Sequence, residues 1–180
     1  MTNDQTIIDF WFDEIDPASW WRKDTEFDDM IRRRFAAVHR AATAGELSEW
    51  RDRPQGRLAE IIVLDQFSRN LYRDDPRAFS CDGMALVLAQ ETVRGGYDRE
   101  LYPLMRTFVY MPYMHSESAV LHEQAVKLFD QPGMESNLDF EYRHKSIIDR
   151  FGRYPHRNQV LGRTSTAEEL AFLQQPGSSF

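Results

Sequence analysis

The stretch LAEIIVLDQFSRNLYR, residues 58–73, decides the fold. When it is drawn as a helix at about 100° per residue, its apolar side chains cover nearly every side. A helix that is apolar all round usually lies buried at the centre of a protein. Asp65 and Arg69 nevertheless fall beside Leu58 and Ile62, and an acid four residues before an arginine is well placed for a salt bridge. We therefore expect a central helix that carries a buried ion pair.

The rest of the chain also follows a helical period, and no segment of useful length alternates as a strand does. We predict helices over residues 6–13, 25–44, 58–72, 84–94, 98–111, 116 or 118 to 129, 137–151 and 167–173. Thr166, with Glu169 three residues later, forms a capping box for the last of them. The sequence thus predicts an all-α protein of seven to eight helices. No linker divides it, so we expect one domain over residues 1–175 and a frayed tail over residues 176–180.

Composition narrows the class of protein. The chain has 180 residues, a net charge of -7 and a single cysteine. This length suits one domain with a full core, and a lone cysteine, which cannot form an internal disulfide, favours a reducing compartment. No stretch approaches the roughly 18 apolar residues of a membrane helix, and an acidic surface repels phosphates. We therefore expect a cytoplasmic protein whose partners include no nucleic acid and no membrane.

One short segment runs against the acidic balance. Residues 150–163, RFGRYPHRNQVLGR, contain four arginines and His156 but no acid. Gly152 and Pro155 interrupt any helix there. A loop lined with arginines and free backbone N–H groups, placed between two helices, is a natural anion site. The alternative is a solvated basic loop that pairs with acidic neighbours.

Two predicted helices carry polar residues on apolar faces. Glu117 and Gln124 share a face with Leu121, where a carboxylate needs a donor or a proton. The alternative for Glu117 is a half-exposed place in the first turn, which the helix dipole favours. His144 lies on an apolar face of the next helix and leads into the basic segment. A satisfied core histidine is the alternative for His144.

Several stretches together carry a family resemblance. They are LDQFSRNLYR (64–73), RAFSCD (77–82), FVYMPYMHSES (108–118) and RFGRYPHRNQVLGRTSTAEELAFL (150–173). These resemble the bacterial domain-of-unknown-function family nine-two-four, which is also found in plants. The resemblance covers essentially the whole chain, and PHRNxxLGRxST followed by two acids is its most specific string. It implies an all-α fold of tetratricopeptide-like antiparallel helix pairs and supplies no reaction.

The first functional hypothesis is a buried or semi-enclosed site that binds a small anion, a phosphate or a carboxylate. Arginines bind such groups bidentately, and an acid can orient an arginine. The ligand-binding candidates are Asp65, Arg69, Asn70, Arg73, Gln124, Arg153, Arg157 and Asn158. Acid–base catalysis is a possible extension, with Glu117, His144 and His156 as the candidates. We expect no cofactor and no metal.

Two other hypotheses stay open at this point. A tetratricopeptide-like array binds peptides on a concave face, and the same arginines would then clamp an acidic peptide terminus. A mononuclear metal site from His115, Glu117 and His144 is the other. A di-iron site needs a second Glu-x-x-His pair besides Glu141 and His144, and the sequence has none. The oligomeric state is beyond the sequence.

Overall fold

The computed structural model describes residues 2–180, and no strand occurs in that part of the chain. Eight helices follow one another there. They are α1, Asp4–Asp9 with a π-helical turn at Phe10–Glu14; α2, Thr25–Thr43; α3, Pro54–Ile62 continuing through a π-helical turn at Val63–Phe67 into Ser68–Leu71; α4, Asp82–Arg94; α5, Pro103–Met114; α6, Ala119–Phe129; α7, Glu135–Phe151; and α8, Ala167–Phe172. Short 3₁₀ turns at Pro17–Trp21, Ser48–Asp52, Pro76–Phe79, Tyr97–Glu100 and Pro155–Arg157 lie between them. The predicted all-α class is confirmed.

Helix α3 lies at the centre, as its apolar surface predicts. All of residues 58–68 are buried, and α3 contacts α1, α2, α4 and α5. Phe67 stacks on Phe35 of α2 with ring centroids 5.1 Å apart, and Phe35 packs on Phe10 of α1 at 4.7 Å. Such aromatic pairs contribute stability beyond the area that they bury. One continuous core therefore surrounds α3 and joins α1 to α6 in a single compact domain.

A smaller cluster joins α7 to the segment that follows it. Ile147, Ile148 and Tyr154 form its buried part, with Phe151 and Phe172 packed against them. This cluster holds residues 150–172 against the end of α7. The ring of Phe180 lies 3.7 Å from that of His144 on α7. These contacts describe where the tail rests and not its mobility, so fraying of residues 176–180 stays a prediction.

Three helices begin at other residues than the sequence predicted, because a proline or a turn sets where each of them starts. Helix α3 begins at Pro54, and α5 begins at Pro103 and not near residue 98, because proline is favoured in a first turn. Residues Tyr97–Glu100 form a separate 3₁₀ turn. Glu117 precedes α6, so the helical face that we predicted for Glu117 and Gln124 does not form. The capping box is confirmed, with both reciprocal bonds between Thr166 and Glu169 present.

Two further expectations take no support from the helices alone. Tetratricopeptide-like pairing stays a prediction, as does the boundary at residue 175. Within residues 2–180, every helix is too short or too polar to cross a bilayer.

Gly56 provides a test of how closely α3 is packed. A Cβ atom at this position would lie 1.9 Å from the carbonyl oxygen of Trp50, so the backbone of α3 or of the Ser48–Asp52 turn would have to move. We expect Gly56→Ala to lower the free energy of unfolding by about 1–3 kcal/mol, the usual cost of overpacking. Urea denaturation measures it. Gly83→Ala in α4 is the matched control, because a Cβ there meets nothing within 4 Å. Equal stability of the two variants would contradict the packing argument.

Candidate functional site

The carboxylate of Asp65 is the buried centre of a polar cluster. Asp65 lies in the π-helical turn of α3 and is 1% exposed. His115 Nδ1 donates to Oδ1 over 2.7 Å, Arg69 Nη1 lies 3.1 Å from the same oxygen, and Gln66 Nε2 donates to Oδ2 over 2.6 Å. The predicted Asp65–Arg69 pair is therefore confirmed. Burial opposes ionisation of Asp65, but His115 and Arg69 hold its pKa well below the usual value.

Arg69 extends the cluster from α3 to α4. Its Nη1 and Nη2 donate to the two carboxylate oxygens of Asp82 over 2.9 and 3.1 Å, a bidentate pair. The Nη1 atom also donates to the backbone carbonyl of Asp65 over 2.9 Å. Bidentate guanidinium–carboxylate pairs fix geometry as well as charge. Arg69 therefore sets the position of Asp82 at the start of α4.

Arg157 ends the cluster on the side of the basic segment, and it is poorly paired. Its Nη1 lies 3.5 Å from Asp82 Oδ2, which is too long for a strong hydrogen bond. Its guanidinium lies over the rings of Phe79 and Tyr154, 4.6 Å from each centroid. The residue is 5% exposed, and its Nε has no hydrogen-bond partner. Burial and the nearby charge of Arg69 lower the pKa of Arg157.

An open pocket lies where α4, the end of α5 and the basic segment meet. Its volume is about 360 Å³. It is lined by Pro76, Phe79, Ser80, Asp82, Gly83, Leu86, Pro112, His115, Ser116, Glu117, Arg157 and Leu161. Helix α4 begins at its edge, and Cys81, which precedes α4, makes no side-chain cap. Backbone N–H groups in the first turn of α4 therefore add positive potential next to Arg157. We call this space the Arg157 pocket.

The other arginines of the basic segment are paired with acids. Arg163 donates to both oxygens of Glu117 over 2.6 and 2.9 Å, and the N–H of Tyr154 donates to Glu117 over 2.7 Å. Arg153 is bidentate on Glu169, at 2.7 and 2.8 Å. Asn158 donates to the same carboxylate over 3.2 Å. These bonds hold residues 150–163 against the turn before α6 and against α8, and Glu117 also lines the Arg157 pocket.

Three other predicted ligand-binding residues lie away from the pocket. Arg73 Nε and Nη2 donate to Asp28 of α2 over 2.6 and 2.7 Å, and Asn70 donates to the same carboxylate over 2.8 Å. These bonds tie the end of α3 to α2. Gln124 is exposed on α6. The structure thus brings together Asp65, Arg69 and Arg157. Asn70, Arg73 and Gln124 do not join them.

The two predicted catalytic histidines lie in an aromatic cluster and not in the pocket. His144 is buried, its Nδ1 lies 2.7 Å from the carbonyl oxygen of Phe140, and its ring packs on Phe180. The ring of His156 lies 4.6 Å from that of Phe180 and 5.7 Å from that of Tyr154. Burial lowers the pKa of His144 to about 3 and that of His156 to about 4. Both rings are therefore neutral at physiological pH.

Among the residues that line the pocket with Arg157, the sequence singled out Glu117 as a catalytic candidate and His115 as a candidate metal ligand. His115 and Asp82 lie in the motifs HSES and FSCD, but they sit at helix ends where a helical period says nothing about burial. His122 on α6 is fully buried, with Nδ1 2.6 Å from Glu141 and Nε2 2.9 Å from the carbonyl of Ser116. Burial raises the pKa of Glu141. The signal that could have revealed this pair is Glu141, an acidic residue on the side of α7 that faces α6.

The metal hypothesis gains no support. Across residues 2–180, no three His, Cys, Asp or Glu side chains gather closely enough to hold a metal ion. His115, Glu117 and His144 bond instead to Asp65, Arg163 and the Phe140 carbonyl.

The lowered pKa values of His144 and His156 predict a loss of stability in acid. Below about pH 6.5 the unfolded chain protonates both histidines while the folded chain does not, so stability falls as pH decreases toward 4. Each contributes a slope of up to about 1.4 kcal/mol per pH unit. We expect His144→Phe, whose ring suits the aromatic cluster, to flatten the profile between pH 6 and 4. Urea denaturation at each pH measures it. Gln124→Ala is the control, and an unchanged slope in His144→Phe would contradict the assignment.

Comparisons with known proteins agree with the resemblance that the motifs carry. A family model for a bacterial protein of unknown function (DUF924) matches residues 7–177. A solved structure of a protein of unknown function from Agrobacterium tumefaciens is similar, with a TM-score of 0.90 and 36% identity, covering 95% of this chain and 96% of that chain. A search of the curated proteins finds no match. The match along nearly the whole length shows that the chain belongs to the DUF924 family of bacterial proteins of unknown function.

Proposed function

We propose that the chain binds a small anion, a phosphate or a carboxylate, in the Arg157 pocket. The observation that carries the proposal is the buried guanidinium of Arg157, whose Nε has no partner and whose contact with Asp82 is 3.5 Å long. A buried polar donor without a partner costs free energy, and a charged one costs more. Ligand oxygens placed in the pocket would satisfy these donors and recover that cost.

The surroundings of Arg157 favour an anion that presents two oxygens side by side. The rings of Phe79 and Tyr154, each 4.6 Å from the guanidinium, restrain its plane and offer its N–H groups no strong acceptor. A restrained fork of this kind matches the two oxygens of a carboxylate or phosphate. The first turn of α4, with Gly83 on the pocket wall, contributes backbone N–H groups beside it.

The charged side chains around the pocket sum to zero, so one bound anion needs a further positive charge to balance it. Arg69 and Arg157 balance Asp65 and Asp82, and Arg163 balances Glu117. A bound anion therefore makes the cluster negative by one charge unless a proton is taken up. The pocket volume of about 360 Å³ is at the small end of the range for ligand pockets, which fits a metabolite-sized anion.

Our runner-up is an acidic peptide terminus held by the same arginine, as in a peptide-binding helical array. A terminal carboxylate presents the same two oxygens to Arg157, so the two ligand classes share one anion site. We keep catalysis as an extension of the small-anion proposal, and a cytoplasmic location remains our expectation from the single cysteine.

Filling the pocket with a fixed negative charge tests the proposal without disturbing Arg157. Ser80 is exposed on the pocket wall, and its hydroxyl donates to the Arg77 carbonyl. We expect inorganic phosphate at ten times its Kd to stabilise the wild type by about 1.4 kcal/mol, or about 3–6 °C in Tm. Ser80→Asp should abolish this shift, because its carboxylate repels the anion. Differential scanning fluorimetry with phosphate and with acetate measures both.

Ser146→Asp is the matched control. Ser146 is also exposed, and its hydroxyl likewise donates to the carbonyl three residues earlier, but it lies on α7 away from the pocket. Ser146→Asp should keep the shift. A wild type that neither phosphate nor acetate stabilises would overturn the proposal, and so would a shift that survives in Ser80→Asp.

Removing the guanidinium is the complementary test. Arg157→Ala should lose the phosphate shift, whereas Arg150→Ala should keep it, because Arg150 is an exposed arginine paired with Glu168. Both variants are compared by circular dichroism first. Loss of the shift in Arg150→Ala as well would point to general charge screening and count against the pocket.

A further inference from the structure

We infer that His115 is the proton acceptor of the Arg157 pocket, positioned by Asp65 to take a proton from a hydroxyl group or water held beside a bound phosphate or carboxylate. The inference rests on the proposed function and adds a chemical role to the same site. It assigns that role to a residue other than Glu117, His144 and His156, which the sequence favoured.

The bond to Asp65 fixes the tautomer of His115. An ionised carboxylate only accepts hydrogen bonds, so the 2.7 Å contact requires that Nδ1 carry the hydrogen. In the neutral ring the free lone pair then lies on Nε2. This nitrogen has no hydrogen-bond partner among residues 2–180, and the ring lines the pocket with its side chain 14% exposed. The lone pair is therefore available to a ligand or to water.

His122 shows what a structural histidine looks like in the same chain. Both of its ring nitrogens are satisfied within the protein, by Glu141 and by the Ser116 carbonyl, and it is 0% exposed. His115 has a comparable carboxylate at Nδ1 but no such acceptor or donor at Nε2. A histidine held by a buried acid on one nitrogen and left free on the other is the arrangement that a general base needs.

The charges that face His115 keep it neutral until an anion arrives. Asp65 and Arg69 come from α3 and Asp82 from α4, while Arg157 and the Arg163-paired Glu117 share the pocket wall. Burial and Arg69 lower the pKa of His115, and Asp65 and Asp82 oppose them only in part. His115 is therefore in its basic form at neutral pH.

A bound anion reverses this balance. Its negative charge beside the ring opposes the effect of Arg69 and favours the imidazolium form. The transferred proton moves from the ligand hydroxyl, or from a water, to Nε2, and the electron pair of the broken O–H bond stays on that oxygen. The new imidazolium charge is stabilised by ionised Asp65 at the opposite nitrogen. The ligand class is thus a small phosphate or carboxylate that carries or adjoins an ionisable O–H group.

Histidine NMR of the full chain tests the inference with inorganic phosphate as the probe. In ¹⁵N-histidine-labelled wild type, we expect His115 as the Nδ1–H tautomer, with a pKa below the usual value. Saturating phosphate should raise that pKa by about one unit or more, the size of shift that a nearby charge produces. His122 should not respond, because it has no access to the pocket. His115→Gln identifies the resonance.

The outcomes separate this inference from the proposed function. If phosphate stabilises the protein but leaves the tautomer and pKa of His115 unchanged, the inference fails and anion binding stands. If phosphate neither stabilises the protein nor shifts any histidine, both fail. A rise in the pKa of His115 on phosphate binding supports both.

Replacing Asp65 tests its positioning role, because the pKa and the tautomer of His115 report on the charge of Asp65 and not on packing alone. Asp65→Asn removes the negative charge beside the ring, so the pKa of His115 should fall further and the Nδ1–H tautomer should lose its preference. Asp28→Asn, which removes a similarly paired buried acid on α2, is the control and should leave His115 unchanged. If Asp65→Asn does not fold, the wild-type titration decides; a folded variant with an unaltered His115 would refute the role of Asp65.

Discussion

The structure depends on how the buried charge of Asp65 is satisfied. A carboxylate at the centre of an apolar helix is costly unless several donors surround it. Here the donors come from three places: Arg69 one turn along α3, Gln66 beside it, and His115 at the end of α5. Arg69 also forms an ion pair with Asp82 of α4. The need of Asp65 for donors therefore fixes α3, α4 and α5 relative to one another and places their polar ends around one pocket.

The π-helical turn at Val63–Phe67 belongs to the same requirement. Such turns interrupt the regular backbone hydrogen bonds and are frequent at functional sites. In this turn the carbonyl of Asp65 accepts a bond from Arg69, so the side chain of Asp65 and its backbone oxygen share one guanidinium. The distortion thus aims the acid at His115 while the flanking turns of α3 keep their apolar contacts.

The basic segment resolves into two kinds of arginine. Arg150, Arg153 and Arg163 pair with Glu168, Glu169 and Glu117, so most of the concentrated positive charge holds the segment against α8 and the turn before α6. Arg157 is different because its guanidinium lies over two aromatic rings and has only one long contact with an acid, Asp82 at 3.5 Å. The pairing with acidic neighbours that the alternative predicted therefore holds for three of the four arginines, and the anion-site proposal rests on the fourth, Arg157.

The sequence by itself determined the features that depend on near neighbours. Helical periodicity predicted the helices and the central position of α3. A spacing of four residues predicted the Asp65–Arg69 pair, and a spacing of three predicted the Thr166–Glu169 capping box, because each of these is an interaction within about one helical turn. Only the tertiary structure decided which polar residues distant in the sequence pair with one another. Arg157 reaches Asp82 across 75 residues, Arg163 reaches Glu117 across 46, and Arg73 is drawn to Asp28 across 45. Local spacing shows that such side chains need partners, but the partner is chosen by which helix ends the packed core brings within hydrogen-bonding distance.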